Sequence, residues 1–278
     1  MKFTFSDQHI EEYHTQGYTV FLQILPPSLI RDLRHVSDKA RTIARERGGP
    51  QVQRLQPVGN YDLDQQPFID YAELPPLVDA IAKLLTPRHR HGNRSHFGIL
   101  LEPAEMPYCT QWHRDWRDNC GGLNLSAWDA VFSDINLFNQ INCALYDDDC
   151  TWVVPDSHLR RDLLREAKLF PERPIPGPRL NGLTAEEREH VCLDYCQSMP
   201  GGVRLSLGAG DFALYRNTLW HLGNYVPYCK RATLHDTADT AEFAAWRDVV
   251  LKEAHQRRQA GVVMDNPNLD LLKEGSDT

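Results

Sequence analysis

From His96 onward the chain breaks into short runs rich in β-branched and aromatic residues, and this texture constrains its fold more than any other feature. The runs are HFGILLE, YCTQWHRDW, INLFNQINCALY, CTWVVP, VRLSLGAG, DFALYRNTLWHL and ATLHDTAD, separated by Gly, Pro, Asn and Asp clusters. Antiparallel barrels and sandwiches read this way, so residues 96–240 are expected to form a β-core. One insertion, residues 160–200, is polar and proline-rich, with a helix predicted over Thr184–Tyr195.

The first 95 residues read mostly as helix. Ser6 is placed to N-cap a first helix and Gly17 to end it. YTVFLQIL then predicts a strand. Leu29, Leu33, Val36, Ala40 and Ile43 recur at spacings of three and four, which predicts a helix from Pro27 to Arg47, ended by Gly48-Gly49. A shorter helix is predicted over Pro76–Leu85, followed by the basic run RHRHGNR. Residues 241–259 read as a last helix, with a polar and poorly ordered tail beyond. The whole is expected to be one domain, mainly β with flanking helices.

With 278 residues, 41% of them hydrophobic and 24% charged, such a chain can bury a sizeable core. A net charge of −8 argues against nucleic acid or anionic membranes as partners. No apolar run approaches the roughly 18 residues of a membrane span, and MKFTFSDQHIEEY is too charged for a signal peptide, so a cytoplasmic location is expected. Seven cysteines, an odd number without a CxxC, predict reduced thiols, and Cys192 and Cys196 share one helical face.

The chemistry concentrates in Q-W-H-R-D, residues 111–115. On a strand His113 and Asp115 point the same way, and with a second histidine they would make the two-histidine, one-carboxylate set of mononuclear Fe(II) oxygenases. An isolated HxD is common, so the partner matters. His221 supplies it, at the end of a strand that follows the Gly210-Asp211 turn. Ten residues later comes Arg231, which a hairpin would return alongside His221 to clamp a carboxylate two-pronged, with the Thr233 hydroxyl beside it. Such an arrangement suits a diacid such as 2-oxoglutarate.

The HxD, the VPxSH-like segment Val154–His158, the GD-strand-His segment ending at Asn224 and the following arginine together resemble the phytanoyl-CoA dioxygenase-type 2-oxoglutarate oxygenases. HTQGYTVF and PPSLIRDLR are similar to that family's opening, so the resemblance spans roughly residues 5–240. It implies a double-stranded β-helix (jelly-roll) fold, with Fe(II), and with 2-oxoglutarate and O₂ as cosubstrates. It also implies His113, Asp115 and His221 as metal ligands and Arg231 as the cosubstrate clamp. The reaction it implies is oxidation of an unactivated C–H bond of a small molecule, hydroxylation by default, coupled to decarboxylation of 2-oxoglutarate to succinate and CO₂. The chain departs from the family in DDDCTW, where an Asn-Gly pair is frequent, and in Asp156, where glycine is usual. It also has Gly223 where several members place a cosubstrate-binding serine, a loss for which Thr233 is the expected compensation. Asp115 disfavours halogenation, because related halogenases have a small residue there.

Several residues keep two readings. Gln140, Asn142 and Ala144 share one strand face, and polar side chains at a strand centre predict either contact with the cosubstrate or buried amides satisfied by the fold. Trp116–Ser133 reads as a lid or pocket wall offering Trp116 and Trp128, with Asp134 beside it, to substrate, or as a surface excursion with buried tryptophans. Its acidic character leans towards a cationic or polyhydroxylated substrate. His158 is expected to be structural, and His89, His91 and His96 to sit in a solvated loop or against an anionic substrate. His235 is set aside as a ligand, since it and Asp236 face opposite ways on a strand. A zinc hydrolase using the same three side chains and a catalytically silent jelly-roll binding protein are the rival functions.

Overall fold

The computed structural model describes residues 3–274; Met1 and Lys2 of the opening and the last four residues of the tail lie outside the described residues. Ser6 precedes helix α1 (Asp7–Gln16), and Gly17 ends it in the left-handed conformation at φ 86°. That glycine is required twice over, because a Cβ there would also meet the His158 ring at 2.6 Å. Strand β1 (Tyr18–Phe21) stops short of the predicted run, and the chain turns at Gln23, which has φ 49°. Helix α2 (Pro27–Gly48) starts with proline in its first turn and buries the predicted stripe of Leu29, Leu33, Val36 and Ala40. After the short strand β2 (Arg54–Leu55) come α3 (Gln66–Ala72), which the sequence pattern did not reveal, and α4 (Pro75–Leu84).

Eight strands then form the core: β3 (Gly98–Leu101), β4 (Tyr108–Cys109), β5 (Asn139–Ala144), β6 (Asp148–Val153), β7 (Val203–Leu207), β8 (Phe212–Arg216), β9 (His221–Tyr225) and β10 (Ala232–Thr237). They divide four and four into facing antiparallel sheets, β8-β5-β10-β3 and β4-β9-β6-β7, and β1 and β2 extend the first sheet at its two edges. This is a jelly-roll core with flanking helices. Strand alternation decides what each face meets. Ile141, Cys143, Phe212, Leu214 and Leu234 point outward into one core with α2 and α4, while Ala144, Ala213, Leu205 and Leu207 close the space between the sheets at one end.

Between the β4 and β5 strands lies α5 (Leu125–Asp129), and the insertion carries α6 (Leu164–Leu169) and α7 (Ala185–Gln197), the latter N-capped by Thr184. These two helices cover the outside of the smaller sheet through Trp112, Trp152, Phe170, Cys192, Cys196 and Trp220. All seven cysteines are free thiols. Helix α8 (Ala241–Gln259) packs Phe243 and Val250 on Trp128 and Phe138. The tail is more ordered than its composition suggests. Helix α9 (Leu269–Glu274) follows Asn268, which is buried and donates to Asp162 at 2.8 Å. Among the described residues, no helix is long and apolar enough to cross a membrane.

Candidate active site

QWHRDW is not the continuous strand expected of it. After β4 the chain keeps a single bridge, His113 to His221, and the Asp115 amide donates to the Asn217 carbonyl at 2.9 Å. His113 and Asp115 nevertheless project together, and Arg114 points the opposite way into a buried ionic network. Arg114 Nε meets Asp162 at 3.1 Å, Arg117 bridges Asp162 at 2.8 Å and Asp118 at 2.7 Å, and Arg173 reaches Asp118 at 3.1 Å. Arg114 also donates to the Ser157 and Thr218 carbonyls. The turn bearing Asp115 is thereby fastened to the insertion and, through Asn268, to the tail.

The ligating atoms of His113, Asp115 and His221 lie within 4.8 Å of one another. Nε2 of His113 is 3.3 Å from one Asp115 oxygen, and Nε2 of His221 is 3.9 Å from the other. Each imidazole donates its Nδ1–H to a carbonyl two residues back, His113 to Gln111 at 2.8 Å and His221 to Leu219 at 2.9 Å. That pairing orients both rings and turns both Nε2 atoms towards the carboxylate, where a bound metal would take their lone pairs. Asn119 donates to Asp115 at 2.6 Å. Burial and the neighbouring His113 push His221 down to about 4, so its imidazole is neutral near pH 7. Burial would raise Asp115, but the hydrogen bond from His113 and the two imidazoles hold it below the usual carboxylate range. Two imidazole nitrogens and one carboxylate converging on one point, with both rings oriented from behind, fit a divalent first-row metal.

Two cavities meet at this cluster. One, of about 210 Å³, runs between the sheets from the three side chains to Arg231, past Asn142, Thr151, Tyr215 and Tyr225. The other, of about 480 Å³, lies on the far side of Asp115 and is lined by Trp116, Asp236, Asp239, Phe243 and Arg247 among others. Asp115, Asn119, Gln140 and His235 border both.

Arg231 reaches the smaller cavity by a route other than the hairpin. Strand β9 pairs with β4 and β6, whereas β10 pairs with β3 and β5, so the chain crosses between sheets after Tyr225 and Arg231 faces His221 across the sandwich. Arg231 is 2% exposed, its Nε donates to Asp148 at 2.8 Å, and its Nη1 is buried without a partner. Thr233 does not replace the missing serine: it is fully buried, lies outside the cavity lining and donates its hydroxyl to Asp148. Gln140 borders both cavities but is spent internally, donating to the Tyr215 hydroxyl at 2.5 Å and accepting from Asn217 at 3.2 Å. Asn142 lines the smaller cavity between Thr151 and His235.

Trp116 lines the larger cavity, held at φ 67°. Trp128 and Asp134 do not. Trp128 is 2% exposed and stacks on Phe132, because the 116–133 segment folds beneath α8 instead of hanging free. Asp134 is exposed and caps Asn136 at 2.9 Å. Asp118 belongs to the ionic network and Asp129 to a surface pair with Arg161, so the carboxylates facing the larger cavity, besides Asp115, are Asp236 and Asp239. The basic run also differs from the solvated-loop expectation. His89 is buried against Thr86 and Asn136, and His91 packs edge-on to Tyr71, while His96 is exposed at the larger cavity. His158 is buried behind Gly17, away from the cluster.

Arg54, Asp148, Tyr225 and His235 were not foreseen as site residues. The two-residue strand carrying Arg54 leaves no readable pattern, but alternation from His221 would have found Tyr225, four residues on and on the same face.

Neither a family model nor a curated protein sequence matches the chain. Solved structures do. AviO1 from Streptomyces viridochromogenes aligns with TM-score 0.54 at 16% identity over 86% of this chain and 98% of its own. The non-heme alpha-ketoglutarate-dependent carbocyclase SnoK from nogalamycin biosynthesis aligns with TM-score 0.53 at 17% identity over 85% of each chain. HygX from Streptomyces hygroscopicus, solved with nickel and 2-oxoglutarate bound, aligns with TM-score 0.53 at 14% identity over 86% of this chain and 88% of its own. At these identities the likeness is one of fold, and it agrees with the jelly-roll core described above.

Proposed function

We propose that this chain is an Fe(II)- and 2-oxoglutarate-dependent oxygenase of the phytanoyl-CoA dioxygenase type, acting on a C–H bond of a small molecule. One observation carries the reading: three convergent metal-ligand atoms stand where a small polar cavity ending on an unpaired arginine nitrogen meets a larger cavity. The neighbouring structures support it. HygX holds nickel and 2-oxoglutarate, and the epimerase SnoN was solved with Fe³⁺, alpha-ketoglutarate and nogalamycin RO.

In this reading His113, Asp115 and His221 hold the metal, and Arg231 receives the far carboxylate of 2-oxoglutarate in the smaller cavity. Iron with 2-oxoglutarate and O₂ supplies the oxidising power, drawn from decarboxylation of the cosubstrate to succinate and CO₂. The chain supplies position. The Gln111 and Leu219 carbonyls hold the imidazoles, Asn119 holds the carboxylate, and the packed sheets keep water from the cosubstrate. Substrate enters the larger cavity against Trp116 and Phe243. Hydroxylation is the expected outcome, although neighbours of the same fold are a carbocyclase and an epimerase.

The test is anaerobic loading with Fe(II) and 2-oxoglutarate, then admission of O₂ and quantification of succinate. Succinate that depends on both Fe(II) and O₂ is expected. Hydrolytic activity with zinc and no succinate would replace this reading with the hydrolase, and no turnover with intact 2-oxoglutarate binding would favour a silent binding protein.

A further inference from the structure

The smaller cavity has one feature for which neither the ligand set nor Arg231 accounts. On β9 the side chains of positions 221, 223 and 225 share the inner face, and position 223 is glycine. A Cβ built there would overlap the hydroxyl end of Tyr225, 2.7 Å from Cε2 and closer still to the hydroxyl. The tyrosine folds back along its own strand and puts its hydroxyl in the space that a side chain at 223 would occupy. Its ring has two neighbours: Tyr108 stacks on it with centroids 4.9 Å apart, and the Arg231 guanidinium lies over it at 4.9 Å. The hydroxyl has no hydrogen-bond partner among the described residues, and the residue lines the cavity. Asp148 meanwhile occupies Arg231 Nε and the Thr233 hydroxyl, leaving Arg231 Nη1 as the second unpaired donor.

We infer that Tyr225, given room by Gly223, donates a hydrogen bond to the far carboxylate of the cosubstrate beside Arg231, and that Asp148 turns Arg231 so that Nη1 completes the pair. The inference rests on the function proposed above and assigns the cavity's specificity for a dicarboxylic 2-oxo acid. The geometry suits this: successive inner-face positions on a strand are about 7 Å apart, so the space beside Gly223 is one step from His221, within reach of a five-carbon diacid. A neutral hydroxyl donor adds direction to the arginine's charge, which Asp148 partly offsets.

The experiment is titration of 2-oxoglutarate into the anaerobic Fe(II) form, followed by its charge-transfer absorbance, for wild type, Tyr225→Phe and Gly223→Ala. 2-Oxopentanoate, which lacks the far carboxylate, is the comparison ligand. Tyr225→Phe keeps the ring and should weaken 2-oxoglutarate roughly tenfold or more, as expected for losing a hydrogen bond to a charged group, while leaving 2-oxopentanoate and iron affinity unchanged. Gly223→Ala should weaken 2-oxoglutarate by displacing the tyrosine, and should have little further effect in a Tyr225→Ala background. Equal 2-oxoglutarate curves for wild type and Tyr225→Phe, or an equal loss for both ligands, would overturn the inference while the proposed function stands. Wild-type protein that binds iron but not 2-oxoglutarate would overturn both.

Discussion

At the scale of single residues, Arg231 separates what a sequence pattern can say from what packing decides. That it shares a cavity with His221 was legible, though not by the hairpin route expected, and its partner was not, because Asp148 lies 83 residues away on another strand. Truncating a charge-assisted pair to a desolvated carboxylate costs about 2–5 kcal/mol, so Arg231→Ala should weaken 2-oxoglutarate by roughly 30-fold or more with iron affinity unchanged. Arg231→Lys should recover only part of that, since a point charge cannot reproduce the guanidinium's two-pronged geometry. Equal 2-oxoglutarate titrations would reassign the clamp, with Arg54 at the same cavity the next cation to vary. Asp236 makes a different point. Burial, more than the opposing Gly92 amide can offset, pushes its carboxyl up to about 7 from an ordinary 3.8. The folded state therefore holds this proton more tightly than the unfolded chain. The group's contribution to stability is full below about pH 3.8, declines as pH rises and is gone above about 7. Asp236→Asn should raise the melting temperature relative to wild type more at pH 8 than at pH 5. A pH-independent difference would show that the carboxyl is not held protonated.

Among the elements, those set by local periodicity were legible. Helix α2 follows its apolar stripe, α8 spans residues 241–259 as read, and β5 presents Gln140 and Asn142 inward by simple alternation. The elements missed are those whose geometry comes from distant groups. QWHRDW looked like strand because it is rich in aromatics, yet its course past His113 is set by buried ions: Arg114, Arg117 and Arg173 against Asp118 and Asp162. The tail looked unstructured because its polar residues find partners on other segments, as Asn268 does on Asp162 and Asn266 on the Pro171 carbonyl. Removing one partner from such a cluster leaves buried charge uncompensated and costs about 3–5 kcal/mol. Asp162→Asn is therefore expected to lower stability by that order and, by loosening the turn that carries Asp115, to weaken iron binding as well. Denaturant unfolding together with an iron titration would check both. Lost stability with unchanged iron affinity would mean that the network supports the fold without positioning the carboxylate.

For the molecule as a whole, the jelly roll keeps its polar residues between the sheets and its apolar ones outside, against the helices, so the site end of the core is held together by few apolar contacts. Asp115 balances two histidines there, and His113 shows the balance: burial lowers it, and the Asp115 hydrogen bond and charge more than reverse that. A metal that binds only the assembled set stabilises the fold by mass action, about 2.7 kcal/mol at a hundredfold excess over Kd. For a chain of this size that corresponds to a rise of about 5–10 °C in melting temperature. Nickel(II) in anaerobic buffer avoids oxidation during the scan, and 2-oxoglutarate should add a further increment only once the metal is present. His221→Ala should abolish the metal-dependent rise while leaving metal-free stability close to wild type, because a neutral imidazole donating to one carbonyl holds little of the core together. Asp115→Gly should likewise abolish the metal-dependent rise and end turnover, with a lower metal-free stability because His113 and Asn119 lose their acceptor. A metal-dependent rise that survives both substitutions would place the ion elsewhere on the chain and remove the three side chains from the ligand set.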